Sequence, residues 1–277
     1  MKKTVLLLNA LLFIFLLRMP FSVSAAPVKT PVVLQINDYY VLYTFPKAPY
    51  VDQNNRLMIP LRAISELLGS NVKYEAKHKR ATIEKDGKKL VVYVGSKEIE
   101  INGTIQMMDT VPTIHESAMF VPLRALIDSF ELPVKWDKST GVVHVESDAM
   151  KNNERIVHFE DSDVPPKIAD NNAILPISYR LEMSKPGKGK LTSGTITVEA
   201  RNISGKAILE GKEDLHLVYF FDHTMATEMD TSTTDVEASR ERPARAADER
   251  FMLEDAFASG QYNENLQYIL ALGRTFE

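Results

Sequence analysis

The sequence predicts a mainly β fold with short helices (α+β): an antiparallel, duplicated sheet with one short helix per repeat, followed by a small β-sandwich. Three observations predict it. "MIPLRAISELL" at 58–68 returns as "FVPLRALIDSF" at 120–130, 62 positions on, and self-similarity at a fixed offset marks a repeated structural unit. Asp86-Gly87 and Asn102-Gly103 separate runs of alternating hydrophobicity; both pairs tolerate the positive φ that a type I′ hairpin turn demands. Further on, "GTITVEA" at 194–200 alternates cleanly and "LHLVYFF" at 215–221 supplies an apolar strand.

The elements follow in chain order. Met1-Lys2-Lys3, the apolar stretch Thr4 to Leu17 and the small residues Val23, Ala25 and Ala26 read as a secretory signal peptide over 1–25, cut between Ala25 and Ala26. The apolar run is shorter than the roughly 20 residues that a bilayer needs, and Asn9 and Arg18 interrupt it. No membrane association is therefore expected after cleavage. The sequence has no cysteine, so the fold has no disulfides and rests on its cores. Export with cysteine avoidance points to release to the wall or medium of a Gram-positive-type bacterium. Loss of Lys2, Lys3 and Arg18 takes the formal charge from −4 to −7, with 15 basic and 15 acidic residues in 26–148 and 15 basic and 22 acidic in 149–277. Neither half has the positive balance that nucleic-acid binding requires.

Residues 26–148 are expected to form one domain of two repeats, about 36–84 and 99–146. Pro60, Leu61, Arg62 and Ala63 match Pro122, Leu123, Arg124 and Ala125, and the agreement runs on through Val72-Lys73 with Val134-Lys135. Each proline suits the first turn of a helix, where a missing N–H has no partner to lose. Leu61, Ile64 and Leu68, like Leu123, Leu126, Ile127 and Phe130, then fall on one helical face. Gly69 is placed to end the first helix and Pro133 to stop the second. A pair of strands follows each helix: 72–75 with 81–84, and 134–137 with 142–146.

"NRLMIPLRAISELLGSNVKYE", "INGTIQMMDTVPTI" and "MFVPLRALIDSFELPVKWD" resemble the repeat of the copper amine oxidase N-terminal-like domain, the stalk domain of many secreted Firmicute proteins, over about 31–147. The second copy departs from that pattern with Glu116-Ser117-Ala118 where the family has Asn-Gly-Arg, and with Phe130-Glu131-Leu132 for Leu-Gly-Ala. The resemblance implies a non-catalytic stalk, since in the oxidases that lend the name the copper histidines and the modified tyrosine belong to another domain. No His-x-His pair occurs, and His78, His115, His144 and His158 stand singly. No copper, quinone or other cofactor is expected.

Lys77, Lys79, Arg80, Lys88 and Lys89, with Lys73 and Lys85 nearby, are the candidate ligand-binding residues, a contact patch for an anionic wall polymer. Edge lysines also protect sheets from pairing with other chains, and Glu75, Glu84 and Asp86 dilute the patch. Tyr74 and Trp136 hold equivalent places and read as structural aromatics beneath the helices, though such rings also stack on sugars. Arg62 and Arg124 read as helix-start arginines bonding to neighbouring backbone.

A polar linker is expected at 149–155, and a β-rich, immunoglobulin-like accessory domain at 156–277. Its strand candidates are 173–183, 194–200, 215–221 and 266–276, with a turn at Asn202 to Gly205. Residues 222–250 are polar and aperiodic, and "ARAADERFMLEDAFAS" at 244–259 carries a helical period through Ala247, Phe251 and Ala258. His216, Asp222 and His223, with Glu213, Asp214, Glu228 and Asp230, are types that ligate metals, but their spacing matches no metallohydrolase pattern and no Gly-rich phosphate loop or G-x-S-x-G appears. The expected function is that of a non-enzymatic extracellular, wall-associated binding or structural protein engaging a wall polymer, a polysaccharide or a secreted protein. The alternative is a metal-assisted hydrolase with its site in the acidic C-terminal half.

Overall fold

The computed structural model describes residues 29–163, 165–184, 188–227 and 240–277. The signal peptide expected at 1–25 lies outside them. Strands dominate, and the α-helices are short: α1 (Leu61–Leu67), α2 (Leu123–Phe130), α3 (Asp148–Lys151) and α4 (Glu154–Ser162).

The organising element is a central sheet. Across it lie Val134–Trp136, Val143–Val145, Leu34–Ile36, Tyr39–Thr44, Leu266–Phe276, Glu213–Phe221 and Met225–Thr227, with Ile168–Asp170 also paired to Leu266–Phe276. Strands from both ends of the chain thus share one sheet: Val41 pairs with Leu270 and Tyr39 with Leu272. The boundary expected at 148 is not a break between two cores. The reason is in the strands themselves. Val218, Phe220, Leu270 and Leu272 face one core, while Leu217, Tyr219, Ile269 and Ala271 face the other. A strand that is apolar on both sides must be covered on both sides.

One cover is the outer sheet, Thr30–Pro31, Ile174–Met183, Leu191–Asn202 and Arg250–Tyr262. The sandwich expected in the C-terminal half therefore forms, but its second layer is completed by Leu34–Ile36, Tyr39–Thr44 and Val143–Val145. The helix expected at 244–259 is corrected to strand: Phe251, Leu253 and Phe257 point inward with period two, and Leu191–Asn202 supplies their backbone partners, Val198 opposite Leu253. Period two competed with a weaker 3.6-residue period, and sheet pairing decided it.

The other cover holds the repeats. The strands Leu57–Pro60 and Ala118–Pro122 pair antiparallel, with Ile59 opposite Val121, the residue 62 positions on. Each strand runs into its helix through a proline that sits at the N-cap in extended conformation, not inside the first turn. Leu61, Ile64 and Leu67, like Leu123, Leu126 and Phe130, are buried. The strands after α1, Asn71–Glu75 and Arg80–Lys85, enter a five-stranded sheet with Lys88–Tyr93, Glu98–Ile101 and Thr104–Met107. Those after α2 join the central sheet, Val143–Val145 running parallel to Leu34–Ile36. Equivalent sequences thus end in different sheets.

Asp86-Gly87 and Asn102-Gly103 turn as expected, all four at positive φ. Gly69, at φ +74°, caps α1, and a Cβ there would lie 2.3 Å from Ala149 Cβ. Glu131 takes the same left-handed position after α2, at φ 54°, and Glu116 and Ser117 both turn at positive φ. Glu131 thus repeats, without a glycine, the left-handed turn that Gly69 makes in the first copy.

The linker expected at 149–155 is corrected to helix. Ser147 Oγ accepts the Met150 N–H and Asn153 Oδ1 accepts that of Arg155, which are N-caps. Met150, Ile156 and Phe159 then bury in the same core as the repeats.

Candidate binding site

The five basic residues nominated by the sequence are not brought together. Lys77, Lys79 and Arg80 stand at the start of Arg80–Lys85, and Lys88 and Lys89 beyond its far end, about 17 Å away at strand rise. Arg80 forks onto Glu75, with Nη2 2.9 Å from Oε1, and the pair holds the Glu75 carboxyl below its usual range, hydrogen bonds from Arg80 and then His78 being the largest causes. Lys88 reaches Glu131 at 2.9 Å. Lys77, Lys79 and Lys89 are exposed, as solvated sheet-end charges are.

The repeat residues split differently. Pro60, Leu61, Pro122 and Leu123 are buried, and their role is packing. Arg62 and Arg124 are exposed and face Glu66 and Asp128 one helical turn on, at 3.7 and 3.5 Å; the expected backbone bonds are replaced by these pairs. Tyr74 and Trp136 are 43% and 61% exposed, so neither is the core aromatic that the repeat suggested. Each sits on a strand at the margin of its sheet, where no further strand covers the ring.

Tyr74 instead lines a cleft of about 260 Å³ that no single stretch of sequence announces. Pro60, Leu61 and Ala63 form one wall, Ile114 and Met119 another, and Gln267 and Tyr268 of the last strand a third. Phe45 and Ile114 flank it, each 47% exposed. Arg62, Glu66 and Glu116 supply its charged margin. Burial pushes the Glu66 carboxyl up against the opposing pull of Arg62. It also pushes the Tyr268 hydroxyl up to about 12, with Glu66 adding to the shift, so that hydroxyl is a donor at neutral pH. The arrangement can seat an apolar or aromatic group and orient it with a carboxylate, a guanidinium and a phenol. Only pairing of the last strand with Tyr39–Thr44 brings Tyr268 to Tyr74. The sequence signal available was the amphiphilic run Leu266-Gln267-Tyr268.

All of these walls except that of Gln267 and Tyr268 belong to a recognisable unit. Residues 35–145 match the copper amine oxidase N-terminal domain family. That domain is a non-catalytic stalk, compatible with a structural or binding role. No curated protein and no solved structure matches the chain. The match stops at residue 145, so α3, α4, the outer sheet and the last strand stand outside it.

Outside the stalk domain the charged residues form a structural cluster. Glu213 and Asp214 are wholly buried. Arg240 forks onto Glu213 at 2.8 and 2.9 Å, Arg274 Nε lies 2.7 Å from Asp214 Oδ2, and Arg242 reaches Asp214 Oδ1 at 3.4 Å. Arg240 and Arg242, from the stretch read as an aperiodic loop, thus tie residues 240–242 to the central sheet. His216 is buried against Phe159, ring centroids 5.5 Å apart, and its Nε2 meets Thr227 Oγ1. His223 lies beyond the other end of that strand, about 20 Å off at strand rise, where its backbone N–H donates to Glu264. The histidines nominated for a metal are therefore apart. Among the described residues no three of His, Asp and Glu are grouped to hold a metal ion; Glu228 and Asp230 lie outside those residues.

Proposed function

We propose that the chain is a secreted, wall-associated, non-catalytic binding protein whose stalk domain and C-terminal strands present one recognition surface. The observation that carries this reading is the apolar cleft shared by Tyr74 of the stalk domain and Tyr268 of the last strand. Its lining is mostly aliphatic and aromatic, and exposed aromatic anchors set in pockets contribute most to protein recognition. Of the partners expected from the sequence, a protein suits this cleft best. An anionic wall polymer would use Lys77, Lys79, Arg80, Lys88 and Lys89, and the pairing of Arg80 and Lys88 weighs against it.

Capture from culture supernatant and retention on purified peptidoglycan and teichoic acid, with wild type and Tyr74→Ala/Phe45→Ala, test the reading. A partner retained by wild type in high salt and lost by the double variant supports it, since exposed charges are screened within about 10 Å at 0.1 M salt. Equal capture by both proteins, or retention that vanishes with salt alone, refutes the cleft as the site.

A further inference from the structure

The central sheet extends past the edge of the outer sheet, and the overhang forms the floor of a second cleft of about 730 Å³, within the roughly 300–1,000 Å³ typical of ligand sites. Four polar side chains cross that floor in register, one per strand. Tyr40 pairs with Gln35, Gln35 with His144, and His144 with Lys135. Residues paired across a sheet share a face, and neighbouring strands lie about 4.8 Å apart, so the row spans about 14 Å. Asn172, at the start of the outer sheet, forms the wall; its Oδ1 accepts from Gln35 Nε2 at 2.8 Å.

Two of these side chains are fixed by the packing of the sheet. Gln35 and Tyr40 are each 1% exposed. Tyr40 lines the cleft. The Tyr40 ring packs in the core with Leu42, while its hydroxyl stays open to the cleft. Burial raises the Tyr40 hydroxyl, with Asp137 and Asp38 adding to the shift, so it donates at neutral pH. Desolvation lowers His144, which leaves its ring neutral there with one donor and one acceptor nitrogen.

We propose that this cleft binds a neutral glycan segment lying across the strands over Tyr40, Gln35, His144 and Lys135. Sugar hydroxyls both donate and accept, which suits a row that mixes phenol, amide, imidazole and ammonium. Lys135 and Lys151 face Asp38, Asp137 and Glu146 in the same cleft, so its field selects neither a polyanion nor a polycation. A peptide strand would add along the backbone edge of Val134–Trp136, whereas the row across the floor offers side chains. The proposal rests on the binding, non-catalytic reading above, but uses none of the residues of the apolar cleft.

Calorimetric titration of the full chain with chitotetraose, maltotetraose and tetragalacturonate tests it, with Tyr40→Phe and Lys135→Ala beside wild type. Wild type is expected to bind a neutral tetrasaccharide, with an affinity that changes little with salt, and each variant to bind at least about tenfold more weakly. Lys135 is exposed, so Lys135→Ala decides the matter if Tyr40→Phe lowers the melting temperature. No heat with either neutral tetrasaccharide, equal binding by wild type and Lys135→Ala, or tighter, steeply salt-dependent binding of tetragalacturonate overturns the proposal. Tyr74→Ala separates the two sites. Partner capture without glycan binding sinks this inference alone, and glycan binding without partner capture sinks only the apolar-cleft reading.

Discussion

Arg274 ties Asp214 to Asp163: its Nε lies 2.7 Å from Asp214 Oδ2 and its Nη1 2.6 Å from Asp163 Oδ2. One guanidinium on the last strand thus joins the most buried strand of the central sheet to the residue that ends α4. Removing one member of a buried pair leaves the other charge uncompensated, at about 3–5 kcal/mol. Arg274→Met should lower the denaturant midpoint accordingly, and a loss under about 1 kcal/mol would show that Arg242 and His216 suffice for Asp214.

The same group makes the fold acid-sensitive. Burial pushes the Asp214 carboxyl up, but His216 and Arg274 outweigh it and hold it below the usual carboxylate range. A depressed folded value contributes stability that is fully present above the unfolded value, about 3.9, and lost as pH falls further. Wild type should therefore lose stability below about pH 4, and Asp214→Asn should flatten that part of the profile. Parallel profiles would assign the acid loss to other carboxylates.

Because Tyr39–Thr44 pairs with Leu266–Phe276, an isolated fragment of residues 29–148 should not fold stably. Its Tyr39, Val41 and Leu34 would lose the cover that Leu270 and Leu272 provide. Circular dichroism and proteolysis of the fragment check this. A protease-resistant fragment with a cooperative melt would show that the stalk domain stands alone.

Glu131 occupies a left-handed position that costs a non-glycine residue about 1–2 kcal/mol. Its ion pair with Lys88 is exposed on the Glu131 side and contributes at most about 1 kcal/mol. Glu131→Gly should raise the melting temperature slightly; a decrease would mean that the pair outweighs the backbone.

Leu123→Ala empties a site that is 3% exposed and should destabilise the protein by about 2–5 kcal/mol. An unchanged midpoint would mean that the face of α2 is not packed as described.

What the sequence by itself determined is local. The hairpins at Asp86-Gly87 and Asn102-Gly103, both proline-led helices with their buried faces, and the strands at 173–183, 194–200, 215–221 and 266–276 follow from φ preference, helical spacing and alternation, which act within a few residues. What only the tertiary structure decided is which strand lies beside which. Val134–Trp136 reads like Asn71–Glu75 but joins the central sheet, and the last strand crosses back to Tyr39–Thr44 because its two apolar faces need two covers. Tyr74 and Tyr268, 194 positions apart, meet through that crossing, as Tyr40, Gln35, His144 and Lys135 align through lateral pairing. Backbone pairing between distant strands carries little trace in the local pattern of either, so both clefts emerge from the register of the sheets.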